Sequence, residues 1–202
     1  MLAKEKLSLT DFPDFNDDED VVRKAVLGNP HEFQFASQRL KDKKEFVLEL
    51  LEPRRDNVFI IEYLSSSLKD DDEVAEKFMS ISPGSYAYLG PTQKKKIAFA
   101  QACIDYSPLE AFAHMPEDLK KNKELAKLGF IKNPSCYMHF DEDLKRDQPF
   151  FLDILRSTSN QFDCVKMYPV LRKVLGEDKV RQEFQAKGMA MNTDGTFLIG
   201  NS

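Results

Sequence analysis

The sequence predicts an all-α protein, an array of about six short helical hairpins stacked as an αα-solenoid. A Leu-Lys pair closes a repeat at Leu40–Lys41, Leu68–Lys69, Leu119–Lys120 and Leu144–Lys145, and Leu171–Arg172 closes a sixth. Neighbouring pairs stand 28 or 25 residues apart, and the 51 residues from Leu68 to Leu119 hold two repeats, with Gln93–Lys94 at the missing close. Proline keeps the same beat: Pro30, Pro83, Pro108 and Pro134 each lie ten or eleven residues before a close. Apolar residues recur at helical spacing within the repeats, as in Val22 and Val26, Val74 and Phe78, and Leu125 and Leu128.

Residues 1–17 precede the first repeat, and Leu7, Leu9, Phe12 and Phe15 mark them as a cap over the open end of the array. The repeats are 18–41, 42–69, 70–94, 95–120, 121–145 and 146–173. Each starts on polar residues, such as Asp42 to Glu45 or Asp70 to Glu73, which suit the orphan N–H groups and the positive end of a helix. A first helix follows, and proline ends it, because proline lacks an N–H and disfavours α geometry in the residue before it. The second helix carries aromatics: Phe33 and Phe35, Tyr86 and Tyr88, Phe112, Tyr137 and Phe140. Repeat two turns instead through Pro53, Arg54, Arg55 and Asp56. In repeat six Pro169 falls late in the second helix and predicts a kink or an early stop. Residues 174–187 read as one more amphipathic helix, ended by Gly188. In the tail, 188–202, Asp194 and Gly195 between MAMNT and TFLI signal a small C-terminal β-hairpin.

Composition narrows the function classes. A net charge of −5 argues against a nucleic-acid footprint, which wants a basic domain. Cys103, Cys136 and Cys164 make no disulfide framework and point to a reducing compartment. No apolar run reaches the roughly 18 residues of a membrane span, and the start, MLAKEKLSLTDFPDFNDDED, lacks the apolar core of a Sec signal peptide. The expected location is cytoplasmic, or a host cytosol reached without a Sec signal peptide.

The segments LKDKKEFVLELL (residues 40–51) and LKKNKELAKLGF (residues 119–130) resemble the repeats catalogued as domain of unknown function 4116. That family occurs in multiple copies in protists, algae and secreted effectors of intracellular bacteria. Repeats two and five carry the likeness, and repeats one and three share it in part. The Gly-Tyr-Ala-Leu-like run usual in the second helix survives only as Tyr86 and Ala87. The resemblance implies an all-α repeat fold and effector biology, and it carries over no catalytic residue.

Cys103, His114, Cys136 and His139 have the chemistry of metal ligands. Zinc takes four convergent ligands, however, and Cys103 stands at an apolar position where a cysteine acts as a small hydrophobe. No metal and no cofactor is expected. The segment from Asp141 to Leu152 lacks the central Gly and closing Glu of a calcium loop and reads as a helix start. A cysteine-dependent enzyme centred on Cys136 and His139 is the alternative function. Cys136 lies in the first turn of a second helix, whose positive end would lower its pKa, but no third group is placed to orient His139.

The leading expectation is a protein–protein interaction module, a regulator or secreted effector that docks a protein partner. Asp70, Asp71, Asp72, Tyr86, Tyr88, Lys94, Lys95 and Lys96 are the candidate contact residues. Aromatics two residues apart on a helix cannot face one way, so one of Phe33 and Phe35, and one of Tyr86 and Tyr88, should stay exposed. Gly90 and Pro91 read as an interruption of the second helix in repeat three, and Lys94 to Lys96 put positive charge near a helix start that prefers negative. Local rules broken together predict a bend between repeats three and four, with a partner contact beside it.

Overall fold

The computed structural model describes residues 8–51, 55–191 and 197–198. Repeat one holds α1 (Glu19–Gly28), a 3-10 helix (Pro30–Phe35) and α2 (Gln38–Lys41). Repeat two holds α3 (Lys44–Leu51), a 3-10 helix (Arg55–Tyr63) and α4 (Ser66–Lys69). Repeat three holds α5 (Asp72–Ile81), a 3-10 helix (Pro83–Tyr88) and α6 (Pro91–Lys94). Repeat four holds α7 (Ile97–Tyr106), α8 (Pro108–His114) and α9 (Glu117–Lys120). Repeat five holds α10 (Lys123–Lys132), a 3-10 helix (Pro134–His139) and α11 (Glu142–Arg146). Then come α12 (Gln148–Ser157), α13 (Gln161–Leu175) and α14 (Glu177–Ala186). Two short strands, β1 (Ala190–Met191) and β2 (Phe197–Leu198), pair antiparallel, and the Asp194–Gly195 turn lies outside the described residues. The fold class is all-α, and the chain divides into two compact units, Met1–Ala102 and Cys103–Ser202.

The first helices of repeats one, three, five and six start for local reasons. Asp18, Asp71, Asn122 and Asp147 accept hydrogen bonds from N–H groups two or three residues ahead, so orphan donors are satisfied before any packing. Burial then follows one pattern, at the third, fourth, seventh and eighth residues after the cap. These are Val74, Ala75, Phe78 and Met79 in α5, Leu125, Ala126, Gly129 and Phe130 in α10, and Phe150, Phe151, Ile154 and Leu155 in α12. Each large apolar side chain buried this way contributes about 1.5–3 kcal/mol.

The expected second helix is not one helix. In repeats one, two, three and five it is a 3-10 segment, and a separate single-turn α-helix carries the close. Ala36, Leu89 and Phe140 each donate a backbone N–H to the carbonyl three residues back, the bond that defines 3-10 geometry. Before the closing turn Ser37, Ser65, Gly90, Pro116 and Asp141 are all extended, with ψ between 147° and 166°. Gly90 and Pro91 therefore occupy a joint that all five repeats have, and they interrupt nothing that the others continue. Three of these joints are tied to the preceding segment: the N–H groups of Ser37, Ser65 and Gly90 donate to the carbonyls of Asn16, Lys41 and Lys69 at 2.8, 3.5 and 2.7 Å.

Three further expectations need correcting. α13 runs through Pro169 to Leu175, and the stop comes at Gly176, whose φ of 90° suits a glycine. The next helix accordingly starts at Glu177 and not at 174. In the N-terminal lead Leu9 is buried and its N–H donates to the buried Glu32 carboxylate at 2.8 Å, whereas Phe12 and Phe15 are about half exposed. Gly188 does end α14. With φ of 74° it donates to the Gln185 carbonyl while Met189 donates to Phe184, the paired bonds of a Schellman motif.

Candidate functional site

The acidic run leading α5 works inside the fold. Asp70 accepts the N–H of Thr92 at 2.8 Å, the N–H of Gln93 at 3.2 Å and the Thr92 hydroxyl at 2.7 Å, and so caps α6. Gly90 is the N-cap of α6 and has no side chain for the task; a Cβ there would stand 2.6 Å from Asp70 Cγ. Burial pushes the Asp70 carboxyl up, and the hydrogen bonds from Thr92 and Gln93 outweigh it, leaving the group below its ordinary value. Asp71 caps α5 through the Val74 N–H at 3.0 Å and pairs with Lys44 at 2.9 Å. Asp72 accepts from Lys96 at 2.9 Å and from the Gln93 side-chain amide at 2.8 Å.

The lysine run is also better placed than its sequence suggests. Lys94 is the last residue of α6 and Lys95 its C-cap, positions where the helix end favours a cation. Lys96 precedes α7, and there Asp72 offsets its charge while its ammonium lies 5.1 Å from the centre of the Phe99 ring. The expected conflict with the helix start is thus compensated. Tyr86 is buried, and its hydroxyl donates to the Lys94 carbonyl at 2.7 Å. Tyr88 is 43% exposed.

Tyr88 has counterparts at a constant register. Phe35, Tyr63 and Tyr88 in the N-terminal unit stand five residues before Leu40, Leu68 and Gln93, and His114 and His139 in the C-terminal unit stand five before Leu119 and Leu144. Phe33, Ile61, Tyr86 and Phe112 lie two residues earlier and are buried. Two residues around a 3-10 segment turn by about 240°, so the later ring points away from the core, and Phe35 is 39% exposed. Sequence reasoning selected Tyr88 and missed Tyr63, His114 and His139 as its equivalents. The five-residue spacing to the close was the signal.

The cysteine and histidine pair is differently placed. Cys136 is fully buried at the register of Ile60, Ser85 and Ala111, which are buried too. Burial pushes its thiol up to about 12, which overturns the lowering expected from a helix end. Cys103 is likewise raised to about 12 by burial; it stands at the seventh position after Lys96, where other first helices have Leu50, Phe78 or Ile154. Burial, then the charges of Lys120 and Lys145, hold the His139 imidazole below its ordinary value. His114 is engaged with Glu110 at 3.1 Å. Iodoacetamide at neutral pH should therefore label Cys136 no faster than Cys103 in the native chain, and both readily after unfolding. Selective labelling of native Cys136 would reinstate the cysteine chemistry.

Among the described residues no three His, Cys, Asp or Glu side chains gather as a metal site requires, and no helix is long and apolar enough to cross a membrane. No curated protein and no solved structure matches the chain. The likeness lies with the family described as Domain of unknown function (DUF4116), matched by residues 18–52: all of repeat one and the start and first helix of repeat two.

Proposed function

We propose that the chain is a protein–protein interaction module that acts by docking, with its repeats stacked as an αα-solenoid. One observation carries the reading. Asp18, Asp70, Asp71 and Asn122 serve as caps and Ser37, Ser65 and Gly90 link to the preceding segment, while a ring stays at the surface at one register, Phe35 in repeat one and Tyr88 in repeat three. Aromatic side chains lose few rotamers on binding and bring a large contact area, which is why they serve as interface anchors. A partner on this face meets Tyr88, while the buried Tyr86 holds the segment through its hydroxyl bond to the Lys94 carbonyl. The family resemblance extends the proposal to a regulator, or an effector delivered into a host cytosol without a Sec signal peptide.

A photo-crosslinking residue installed at Phe35 or Tyr88, with the chain recovered from its native compartment, tests this directly. A discrete protein adduct is expected from both positions, and not from the exposed Glu76 on α5. Adducts of equal yield from all three, or none at all, would remove the docking reading.

A further inference from the structure

The closing lysines divide into two chemical classes. In the C-terminal unit, Lys120 pairs with Glu117 at 2.7 Å and Lys145 with Glu142 at 2.8 Å, each an acid three residues earlier on the same turn. In the N-terminal unit the same position holds Gln38, Ser66 and Pro91, so Lys41, Lys69 and Lys94 have no acid at that place. The side chains of the first two do something else. Lys41 Nζ donates to the Gln34 carbonyl at 2.6 Å, and Lys69 Nζ to the Glu62 carbonyl at 2.8 Å. Each of those carbonyls belongs to the residue directly before the register ring, Phe35 in repeat one and Tyr63 in repeat two.

Lys94 is bound to the third 3-10 segment through the Tyr86 hydroxyl on its own carbonyl. Burial holds all three ammonium groups below the ordinary lysine value; Glu62 partly counters this at Lys69, and Lys69 adds to it at Lys94. Among the described residues none of the three forms an ion pair with a carboxylate. A carbonyl satisfies a hydrogen bond without cancelling the charge, and an ammonium has donors to spare.

These pairs of ring and lysine form a row. The 3-10 segments Pro30–Phe35, Arg55–Tyr63 and Pro83–Tyr88 pack side by side in that order. The His31 ring stacks on Phe59 at 5.6 Å and meets the Tyr63 hydroxyl at 3.0 Å, which locks the first two together. We infer that this row, with Phe35, Tyr63 and Tyr88 beside Lys41, Lys69 and Lys94, docks an extended acidic segment of a partner protein that carries aromatic residues among its carboxylates. The inference rests on the docking reading above and adds the chemistry of the partner. A polyphosphate backbone fits less well. The cations come one per repeat, Asp42 and Asp70 directly follow Lys41 and Lys69 in sequence, and the Glu62 charge acts on Lys69, so an evenly charged strand meets repulsion between its contacts. A peptide can place its carboxylates only where the lysines are.

The full chain is titrated with a fluorescent glutamate–tyrosine copolymer, followed by anisotropy at low and high salt. Polyglutamate, single-stranded polyuridylate and phosphatidylserine vesicles are run beside it. The copolymer is expected to bind most tightly, with an affinity that falls as salt rises. The double variant Q38E/S66E gives the first two lysines the acid that Lys120 and Lys145 already have. It should weaken copolymer binding by about tenfold with an unchanged circular dichroism spectrum, since glutamate occupies this position in α9 and α11. Lys69→Gln, which keeps a donor for the Glu62 carbonyl, gives a second reading and should weaken binding in the same direction.

Preference for the RNA or the vesicles, no binding of any acidic polypeptide, or copolymer binding untouched by these variants would overturn the inference. The crosslinking experiment separates the two levels of the argument. Adducts at Phe35 that persist in Q38E/S66E leave docking intact and remove the acidic ligand, whereas a wild-type chain without adducts removes docking itself.

Discussion

Phe112→Ala should destabilise the chain by about 3–5 kcal/mol, a large share of the 5–15 or so kcal/mol that holds a typical domain. Phe112 is fully buried, and its ring lies 5.1 Å from that of Phe140. It also fills a gap that the repeat pattern leaves. The seventh position after the cap holds Phe78 in α5 and Ile154 in α12, but Gly129 in α10, and a Cβ on Gly129 would overlap the Phe112 ring edge. Deleting the ring opens a cavity beside a residue with no side chain to collapse into it. The converse variant, Gly129→Ala, should cost about 1–3 kcal/mol through overpacking, although alanine is the better helix former. Combining Gly129→Ala with Phe112→Leu should cost clearly less than the sum of the two single changes, because the new methyl takes space the ring has left. Urea titrations followed by far-UV circular dichroism measure all of these. Strict additivity, or a loss under about 1 kcal/mol for Phe112→Ala, would show that the ring and the glycine are not packed together.

Gly90→Ala should cost about 1–3 kcal/mol, and Gly90→Ser should cost roughly 1 kcal/mol less than that. The backbone at Gly90 is extended with φ of −68°, which any residue adopts, so the penalty is steric. A Cβ there would stand 2.5 Å from Asp70 Cβ, and the N–H of Gly90 already lies 2.7 Å from the Lys69 carbonyl. Ser65 shows the alternative: the matching bond to Lys41 is 3.5 Å, and the serine caps its own turn through the Leu68 N–H. A serine at 90 brings the same local cap, which an alanine lacks. Asp70→Ala should therefore cost less in a Gly90→Ser background than in the wild type, because the turn no longer depends on the aspartate. The Asp70 contribution also has a pH signature. Its carboxyl is held below the ordinary value, so it stabilises the fold above that value and is lost as pH falls through the folded one. Equal stabilities for Gly90→Ala and Gly90→Ser would mean that the cap is irrelevant at this joint.

The beat of the repeats, and the start and end of first helices such as α5, were determined by the sequence alone, because each is settled over a few residues. Asp71 finds the Val74 N–H three residues on, and Pro83 ends what Asp71 began without help from the rest of the chain. The even offset between Phe33 and Phe35, or Tyr86 and Tyr88, likewise dictated that one ring of each pair stays out. Tertiary structure decided the rest. The second segment of a repeat winds as 3-10 or α with no difference in its leading proline, as Pro83 and Pro108 show. Asp70 caps a helix 22 residues away, a partner no local pattern names. Cys136 stands in the first turn after a proline, where sequence suggests an activated thiol, and burial at a core register raises it instead. Lys41 and Lys120 close their repeats with the same two letters, yet one folds back on a carbonyl and the other on an acid. Caps and breaks act through bonds that a short peptide can already make. Burial, capping from the far end of a repeat and the fate of a charge depend on which distant groups the fold brings within 3 Å or so, and spacing along the chain does not carry that information.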